Sequence, residues 1–408
     1  MLQSQLFYKT LKEFPKDEEA VSAKLLVRAG YIDKLMAGVY QFLPLGLRVL
    51  QKIEQIIREE MNAVGGQEIL MPALQPKEIW ERTGRWETLD ILFKLKGAGE
   101  KDLALGPTHE ETVTPLAQKI IFSYKDLPKA VYQIQTKFRN EPRAKSGLLR
   151  GREFRMKDMY SFHANQKDLD QYYEKVEKAY EKIWERLGLD KITVKTYASG
   201  GTFSKYSHEY QTLCVTGEDT IFVCEKCRVA VNKELINELK ACPECGNKNL
   251  VEKKAIEVGN IFKLGTKFSN AFNFKFVDEK NQEQLVIMGC FGLGPSRVMG
   301  TLAEVFNDEK GIIWPESVSP FQAHLINLKK DTKDAQNFYN QLMKEGIDVL
   351  FDDREDISAG QKLSEADLIG ITHRLVISEK TGDKIEYKKR GEKEVKLMNE
   401  KEVIKLLK

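Results

Sequence analysis

Residues 137–158 concentrate positive charge on a chain that is otherwise close to neutral. They read KFRNEPRAKSGLLRGREFRMKD, with eight Lys or Arg and three Asp or Glu, whereas the whole chain has a net charge of +3. As a strand, KFRNE would place Lys137, Arg139 and Glu141 on one face. The return strand adds arginines around Phe154, namely Arg150, Arg152 and Arg155. Guanidinium groups suit phosphate oxygens and an aromatic ring suits a purine, so the stretch predicts a nucleoside triphosphate clamp. A surface ion pair between Arg139 and Glu141 is the plainer alternative.

A second group of chemical side chains is the turn LGPTHEE at residues 105–111. After the turn residues Gly106 and Pro107, Thr108 and Glu110 would share one face, with His109 on the other. A hydroxyl beside a carboxylate suits a substrate ammonium, which offers only N–H donors and positive charge. A solvated acidic turn with a packed histidine is the alternative.

The third group is GCFGLGPSRVMG at residues 289–300. Gly292 and Gly294 let a backbone approach a ligand, Pro295 suits the first turn of a helix, and Arg297 follows in that turn. Tight packing of a strand against a helix also requires glycine, so the arginine is the more informative residue.

Four of the six cysteines form two C-x-x-C pairs, Cys224 with Cys227 and Cys242 with Cys245. This is the spacing of a zinc ribbon, in which four thiolates make a closed tetrahedral site with no open position for catalysis. Four reduced cysteines without a metal are the alternative. The other two cysteines stand alone, which suits a reducing compartment and predicts a cytosolic protein.

The elements that position these groups indicate an α+β protein of two or three domains, because 408 residues exceed one ordinary core. Apolar residues at three and four residue steps predict helices at 46–64 and 168–187, the second ending at Gly188. Short apolar runs at 285 and 323 predict strands. The near-balanced charge gives no general case for nucleic-acid or membrane binding, and no run reaches the roughly 20 apolar residues of a membrane span.

In this order, the three motifs resemble those of class II aminoacyl-tRNA synthetases, and specifically the bacterial prolyl-tRNA synthetase family. The resemblance covers nearly the whole chain. It starts with RAGYIDKLMAGVYQFLPLGLRVLQKIE, and GGQEILMPALQPKEIWERTGRW is similar to the dimer-forming first motif, centred on Pro72. LGPTHEE, SYKDLPKAVYQIQTKFRNE and RGREFRMKDMYSFH follow, then HEYQ, GCFGLGPSR and DEKGIIWP. The implied fold is an antiparallel class II sheet flanked by helices, a small zinc-ribbon-like insertion and a C-terminal α/β anticodon-binding domain.

The resemblance implies a nucleotide site. Arg139 would hold the α-phosphate while the proline carboxylate attacks it, Glu141 would contact the adenine amino group, and Phe154 would stack on the base. Arg150 and Arg297 would hold the outer phosphates, with Arg139 and Arg297 as the catalytic residues. Magnesium is implied by the triphosphate, without assigned ligands.

The resemblance also implies a proline site. Thr108 and Glu110 would bind the secondary ammonium beside Arg139. Phe162 and Cys290 would form the wall of the pocket for the ring. The remaining positions lining the amino-acid and nucleotide pockets would be His163, His208 and Gln211. Two loops depart from the family pattern, SKYSHEY around His208 and PRAKSG after Glu141.

The implied domains are the catalytic domain in two parts (1–221 and 257–317), the four-cysteine insertion (222–256) and the anticodon-binding domain (318–408). The insertion stands where bacterial relatives carry a large domain that hydrolyses mischarged alanyl-tRNA(Pro), so we expect no editing in cis. The expected partners are tRNA(Pro), L-proline, ATP and a second copy of the chain.

Three alternatives remain at this point. A class II enzyme for threonine, glycine or histidine would share the triphosphate clamp, although LGPTHEE with YQIQTKFRNE favours proline. A tRNA-binding paralogue without catalysis is disfavoured because Arg139, Arg150 and Arg297 are all present. A zinc-ribbon nucleic-acid-binding protein accounts for one short segment only.

Overall fold

The structure is a computed structural model that describes residues 1–201 and 203–408. The chain divides into two compact units: Met1–Met36, Tyr40–Lys52 and Leu302–Lys408 form the first, and Ala37–Val39 and Ile53–Thr301 form the second. The first 36 residues thus belong to the same unit as the C-terminal residues, whereas the sequence analysis grouped them with the catalytic domain. The four domain bounds remain predictions.

In the described part of the chain the helices are α1 (Val21–Arg28), α2 (Pro44–Ala63), α3 (Lys77–Arg82), α4 (Arg85–Thr88), α5 (Glu110–Gln118), α6 (Gln166–Arg186), α7 (Lys267–Ala271), α8 (Pro295–Val305), α9 (Lys333–Lys344), α10 (Ala359–Ile369) and α11 (Glu400–Leu407). The strands of the first half are β1 (Ile32–Met36), β2 (Val39–Phe42), β3 (Gln67–Glu68), β4 (Leu74–Pro76), β5 (Phe93–Lys96), β6 (Asp102–Leu105), β7 (Lys129–Phe138), β8 (Glu153–His163) and β9 (Thr193–Ser199). Those of the second half are β10 (Tyr206–Leu213), β11 (Asp219–Cys224), β12 (Ala230–Asn232), β13 (Leu250–Gly265), β14 (Lys275–Val277), β15 (Glu283–Leu285), β16 (Ile287–Leu293), β17 (Asn307–Asp308), β18 (Gly311–Ile312), β19 (Ala323–Asn327), β20 (Val349–Asp352), β21 (His373–Ile377), β22 (Ile385–Lys389) and β23 (Val395–Met398). None of these helices combines the length and apolarity needed to cross a bilayer.

Both long predicted helices are confirmed. In α2 the side chains of Ile53 and Ile57 are fully buried, and the chain turns at Gly65 with a φ of +88°, which favours glycine. In α6 the side chain of Asn165 accepts a hydrogen bond from the Asp168 backbone N–H, a standard N-cap. Gly188 follows this helix with a φ of +71°, as predicted.

The second unit is built on a nine-stranded sheet with the order β10-β9-β12-β11-β13-β16-β8-β7-β3. Its neighbours pair antiparallel except for β12 with β9 and β3 with β7, which pair parallel. Strand β10 also pairs with β13, so the pairings β10-β9-β12-β11-β13-β10 close a ring of five strands. Small apolar side chains fill part of this ring, with Val194, Ile221, Ala230 and Ala255 buried together.

The C-terminal part of the first unit is an α/β fold on a five-stranded sheet, β20-β19-β21-β22-β23. Strands β20, β19 and β21 are parallel, and β22 and β23 are antiparallel additions. Phe338 and Leu342 of α9 are buried in the same apolar cluster as Leu325 and Phe351 of the sheet. The predicted strand at 323 is therefore β19.

Candidate active site

Two adjoining cavities lie at the middle of the nine-stranded sheet in the second unit, and Arg139, Glu257 and Arg297 line both. The first has a volume of about 300 Å³ and the second about 270 Å³. Side chains from β8, β13 and β16 line the first cavity, together with Thr108 of the turn before α5 and Glu110, the first residue of α5.

The carboxylate of Glu110 is fully buried at the wall of the first cavity. Its Oε2 accepts a hydrogen bond from the Thr108 hydroxyl at 2.5 Å, and its Oε1 lies 3.3 Å from the Cys290 thiol, which donates to it. The guanidinium of Arg85 lies 3.5 Å from Glu110 and 2.9 Å from Glu111. This pocket wall can bind a small cation.

A buried polar network lies directly behind this wall. The ammonium of Lys137 contacts Asp158 Oδ1 and His109 Nδ1, each at 2.7 Å. His109 Nε2 lies 3.0 Å from the backbone oxygen of Pro72, and Tyr160 receives a hydrogen bond from the His109 backbone N–H at 3.0 Å. Burial and then the charge of Lys137 lower the pKa of His109 to about 4. A neutral His109 therefore accepts from Lys137 at Nδ1 and donates at Nε2, which orients the turn that carries Thr108.

The two arginines shared by the cavities are held in different ways. Arg297, in the first turn of α8, donates to both the carboxylate and the backbone oxygen of Glu257 at 3.0 Å. Arg139 has its guanidinium carbon 5.2 Å from the centre of the Phe154 ring. Its buried Nε has no hydrogen-bond partner among the described residues, and burial followed by the charge of Arg297 lowers its pKa. A half-buried cation with an unpartnered N–H group is suited to bind an anion.

The second cavity alternates arginines with carboxylates. Arg150 donates to Glu141 at 2.9 Å and lies 3.5 Å from Glu218, and Asp219 lies beside them. Its lining suits an anion that carries several charges together with a divalent cation.

Comparison with known proteins identifies the family to which this chain is similar. The class II tRNA synthetase core domain (G, H, P, S and T) matches residues 93–306, and the anticodon binding domain matches residues 322–408. The proline–tRNA ligase of Dehalococcoides mccartyi strain ATCC BAA-2266 is 35% identical over 553 residues, covering 98% of this chain and 97% of the relative. That of Sulfurihydrogenibium sp. is 35% identical over 561 residues, covering 100% and 99%. This chain belongs to the proline–tRNA ligase family.

Solved structures of the family share the fold. Prolyl-tRNA synthetase of Cryptosporidium parvum, complexed with halofuginone and AMPPNP, has a TM-score of 0.77 at 20% identity, covering 95% of this chain and 76% of that one. The Giardia lamblia enzyme, in complex with prolyl-adenylate, has a TM-score of 0.76 at 20% identity, covering 93% and 74%. The class II core and the C-terminal anticodon-binding domain predicted from sequence are therefore confirmed.

The alignments also show that these relatives are longer. The Dehalococcoides alignment runs over 553 residues, of which this chain supplies at most 408. Proline–tRNA ligases of this group therefore carry residues that have no counterpart here.

The triphosphate clamp expected from the charge-rich stretch is smaller than predicted. Strand β7 ends at Phe138, so the residues after it do not alternate as strand residues. On β8, Phe154 lines the first cavity, and its neighbour Arg155 binds Glu54 at 2.8 Å. Arg152 donates to the backbone oxygen of Glu141 at 3.0 Å. Successive strand residues face opposite sides, so Arg155 cannot share the cavity with Phe154.

Several predicted pocket residues lie away from the cavity lining. His163 binds Asp168 at 2.9 Å and Ser161 at 2.8 Å. His208 binds Tyr173 at 3.0 Å and Glu177 at 3.1 Å. His163 is out of phase with Phe154, Met156 and Asp158, the residues of β8 that line the cavity. His208 is out of phase with Glu209 and Gln211 of β10, which bind the lining residues Asn260 and Asp219.

Phe162 and Gln211, the two other predicted pocket residues, lie close to the cavities but do not line them. Phe162 is buried in the apolar cluster that also holds Cys290, with its ring 6.0 Å from that of Phe274. Gln211 is fully buried and donates to Glu209 at 2.8 Å and to Asp219 at 3.0 Å. Phe162 therefore lies behind the cavity wall in the cluster that includes Cys290, and Gln211 reaches the cavity lining through Asp219.

Four polar residues of the first cavity were not predicted from the sequence, namely Arg85, Asp158, Glu257 and Asn260. Asp158 ends the charge-rich stretch 137–158, and the other three lie outside the three motifs. A carboxylate in an otherwise apolar run, as in AIEVGNIF, is the signal that could have indicated Glu257.

The four cysteines of the insertion come together as predicted. Their sulfurs all lie within 4.8 Å of one another, with Cys224 and Cys245 at 3.6 Å and Cys227 and Cys242 at 3.4 Å. A tetrahedral zinc with Zn–S bonds of about 2.3 Å separates its sulfurs by roughly 3.8 Å. The cluster therefore fits a structural zinc, and β11 and β13 on either side join it to the five-stranded ring.

Proposed function

We propose that the paired cavities are where this chain activates proline with ATP before transferring it to tRNA(Pro). The observation that carries the proposal is Arg139, a half-buried arginine with a buried, unpartnered Nε among the described residues, which lines the same cavity as Glu110 and Arg297. Such an arrangement fits an anionic centre flanked by a bound ammonium on one side and further phosphates on the other.

In the first step a proline carboxylate oxygen attacks the α-phosphorus and the bond to pyrophosphate breaks. Thr108 and Glu110 hold the secondary ammonium, while Cys290 and Phe162 shape the wall behind the ring. Arg139 stabilises charge on the α-phosphate, a contact worth about 3 kcal/mol in the transition state. Positioning and electrostatics suffice for this displacement, so no general base is required. The tRNA 3′ hydroxyl then attacks the prolyl carbonyl and releases AMP.

The nucleotide occupies the second cavity and the adjoining edge of the first. Phe154 stacks on the adenine and Glu141 contacts its amino group, while Arg150 and Arg297 hold the outer phosphates. The carboxylates of Glu218 and Asp219 line the same space and are oxygen donors of the type that magnesium prefers. Magnesium, when bound, supplies positive charge to the triphosphate. His163, His208 and Gln211 act in this scheme only through the residues that they contact.

The first test is pyrophosphate exchange with ATP in the presence of proline, alanine, cysteine or threonine. Exchange driven mainly by proline is the expected result. If folded, zinc-loaded protein shows no exchange with any of them, the chain is a non-catalytic tRNA-binding paralogue. If threonine drives the exchange, it charges another amino acid.

The C-terminal part of the first unit offers a basic cavity for the anticodon. A space of about 360 Å³ opens beyond the carboxyl ends of β19 and β20, and its cationic lining residues are Lys329, Lys330, Arg354 and Lys362. Unstacked bases and phosphates of single-stranded RNA suit such a lining. We expect binding of tRNA(Pro) to weaken as salt rises and to weaken further in Lys330→Ala, with Lys401→Ala as the control; a salt-independent affinity would contradict this assignment.

The proposal extends to a homodimer and to a cytosolic location. Leu70 and Leu74, which flank Pro72 of the first motif, are 75% and 50% exposed, and we propose that a second copy covers them in a homodimer. Sedimentation at micromolar concentration should give twice the mass of 46.8 kDa. The reduced cysteines and the tRNA substrate favour the cytosol.

A further inference from the structure

A chain of hydrogen bonds connects the four-cysteine segment to the arginine of the third motif. The Asn232 side chain, on β12, donates to Glu209 Oε2 at 3.1 Å. Asn260 donates to both Glu209 Oε1 and Glu257 Oε1 at 3.3 Å. Glu257 in turn accepts from Arg297 at 3.0 Å. Glu209 therefore lies at the centre of a polar support that reaches the cavity without lining it.

A bulge in β13 makes this support possible. Glu257 pairs with Gln211 of β10, and Asn260 pairs with Glu209, while Val258 between them has no partner in the register of these two strands. Residues three apart on a regular strand face opposite sides. The extra residue restores a common face, so that both Glu257 and Asn260 line the first cavity.

Glu209 is unusual among the carboxylates of this unit because amides surround it. Gln211, Asn232 and Asn260 each donate to it, which satisfies both oxygens of the carboxylate. The amide oxygens of Gln211 and Asn260 are buried without a hydrogen-bond partner among the described residues. Only the N–H ends of these two amides are hydrogen-bonded, and both donate to Glu209. Glu209 therefore determines which way each amide points.

We propose that Glu209 is a positioning residue for Arg297, acting through Asn260 and Glu257, and that β12 of the four-cysteine segment supports it through Asn232. Arg297 donates with one nitrogen to Glu257, and that contact sets the direction of the rest of the guanidinium. The proposal rests on the proposed function in one respect, namely that Arg297 holds ATP phosphates.

The test variant is Glu209→Gln, which keeps the size of the side chain. The new amide offers one oxygen to the three N–H groups that now donate to two carboxylate oxygens. The network can therefore no longer hold Asn260 and Glu257 in their present orientation. We expect ATP affinity, measured by calorimetry without proline, to fall about tenfold, since a hydrogen bond to a charged group is being lost. The KM for proline in the exchange reaction should stay within about twofold of the wild-type value.

Two further variants separate positioning from a general loss of structure. Asn232→Ala removes one of the three donors and should weaken ATP binding less, about threefold. Glu54→Gln changes a buried carboxylate that binds Arg155, away from the cavities, and should leave the ATP affinity unchanged. Thermal unfolding of each variant checks that it is folded.

The decisive measurement is a double-mutant cycle with Arg297→Ala. If Glu209 acts through Arg297, Glu209→Gln lowers ATP affinity no further in the Arg297→Ala background. Full additivity, or wild-type ATP affinity in Glu209→Gln, would overturn the proposal. If the proposed function is wrong, the wild-type chain will show no proline-dependent pyrophosphate exchange. The ATP affinities of the variants would still test the role of Glu209.

Discussion

At the scale of single residues, Glu110 is the residue on which the proposed binding of the proline ammonium depends. Its buried carboxylate is held by Thr108, Cys290 and Arg85, and it faces a cavity sized for a small molecule. Sequence analysis could identify Thr108 and Glu110 from the THEE turn. It could not identify Arg85, which reaches Glu110 from a separate helix.

Replacement of Glu110 by Gln should therefore impair proline binding selectively. The neutral amide cannot pair with a secondary ammonium, so we expect the KM for proline to rise at least tenfold, equivalent to about 1.5–3 kcal/mol for a hydrogen bond to a charged group. ATP affinity should change little, which calorimetry can check. The exposed Glu87→Gln is the control. Equal losses of proline and ATP binding would indicate misfolding of the variant instead of a lost contact.

His109 gives a pH-dependent prediction at the same scale. Burial beside Lys137 lowers the pKa of His109 to about 4, below the usual value near 6.5. Between these values the unfolded chain binds a proton that the folded chain does not. Stability from His109 is therefore complete above about pH 6.5 and is lost as the pH falls towards 4, with a slope of at most about 1.4 kcal/mol per pH unit.

Ring-proton NMR can measure this titration directly. The assigned His109 signal should stay constant from pH 8 to 6 and shift only near pH 4. A midpoint near 6.5 would show that His109 is solvated and that Lys137 does not donate to it.

At the scale of elements, the periodicity of apolar residues predicted those helices whose formation depends on their own sequence. The helices α2 and α6 were predictable because one face of each is apolar at three and four residue steps. The orientation of Arg155 was not, because it depends on which face of β8 meets the cavity. The bulge at Val258 was also beyond prediction, since it arises from the register between β10 and β13 and leaves no local pattern in either strand.

The four-cysteine segment is predicted to depend on a bound zinc, which a substitution can remove. Without a metal its four thiols have little to hold Cys224 near Cys245, because a structural zinc contributes folding energy outright. We expect Cys242→Ser to lower the zinc content well below one ion per chain and to lower the thermal midpoint by several degrees. Cys214→Ser, outside the cluster, should do neither. Wild-type protein purified without chelator and containing no zinc would contradict the zinc assignment.

At the scale of the whole molecule, the order of the motifs and their resemblance to a known family predicted the family, the class II core and the C-terminal α/β domain. They did not predict that residues 1–36 belong to the same compact unit as the C-terminal residues. In that unit Leu2 forms a β-bridge with Phe351, and the Tyr31 hydroxyl accepts a hydrogen bond from Trp314 at 2.8 Å. Contacts across some 280 or more positions leave no trace in a local sequence pattern.

The small size of the four-cysteine segment leads to a prediction about the accuracy of the proposed reaction. A pocket for proline excludes larger side chains, but it can reject the smaller alanine only through lost contacts, and one or two methylenes are worth about 1–3 kcal/mol. We therefore expect alanine to support pyrophosphate exchange with a kcat/KM roughly 10–200-fold below that of proline. Residues 222–256 provide four cysteines and three short strand segments around the predicted zinc, where an editing domain would need a second pocket and a hydrolytic centre.

Preformed alanyl-tRNA(Pro) consequently should survive in the presence of the chain. The measurement is the rate of deacylation at equal tRNA concentration with the protein, with buffer alone, and with Arg139→Ala as a control that separates hydrolysis from reversal of the transfer step. Loss of alanine at the buffer rate is the expected result, and the cell would then need a separate hydrolase to remove it. Deacylation that is much faster than in buffer, and unchanged in Arg139→Ala, would place an editing centre within these 408 residues.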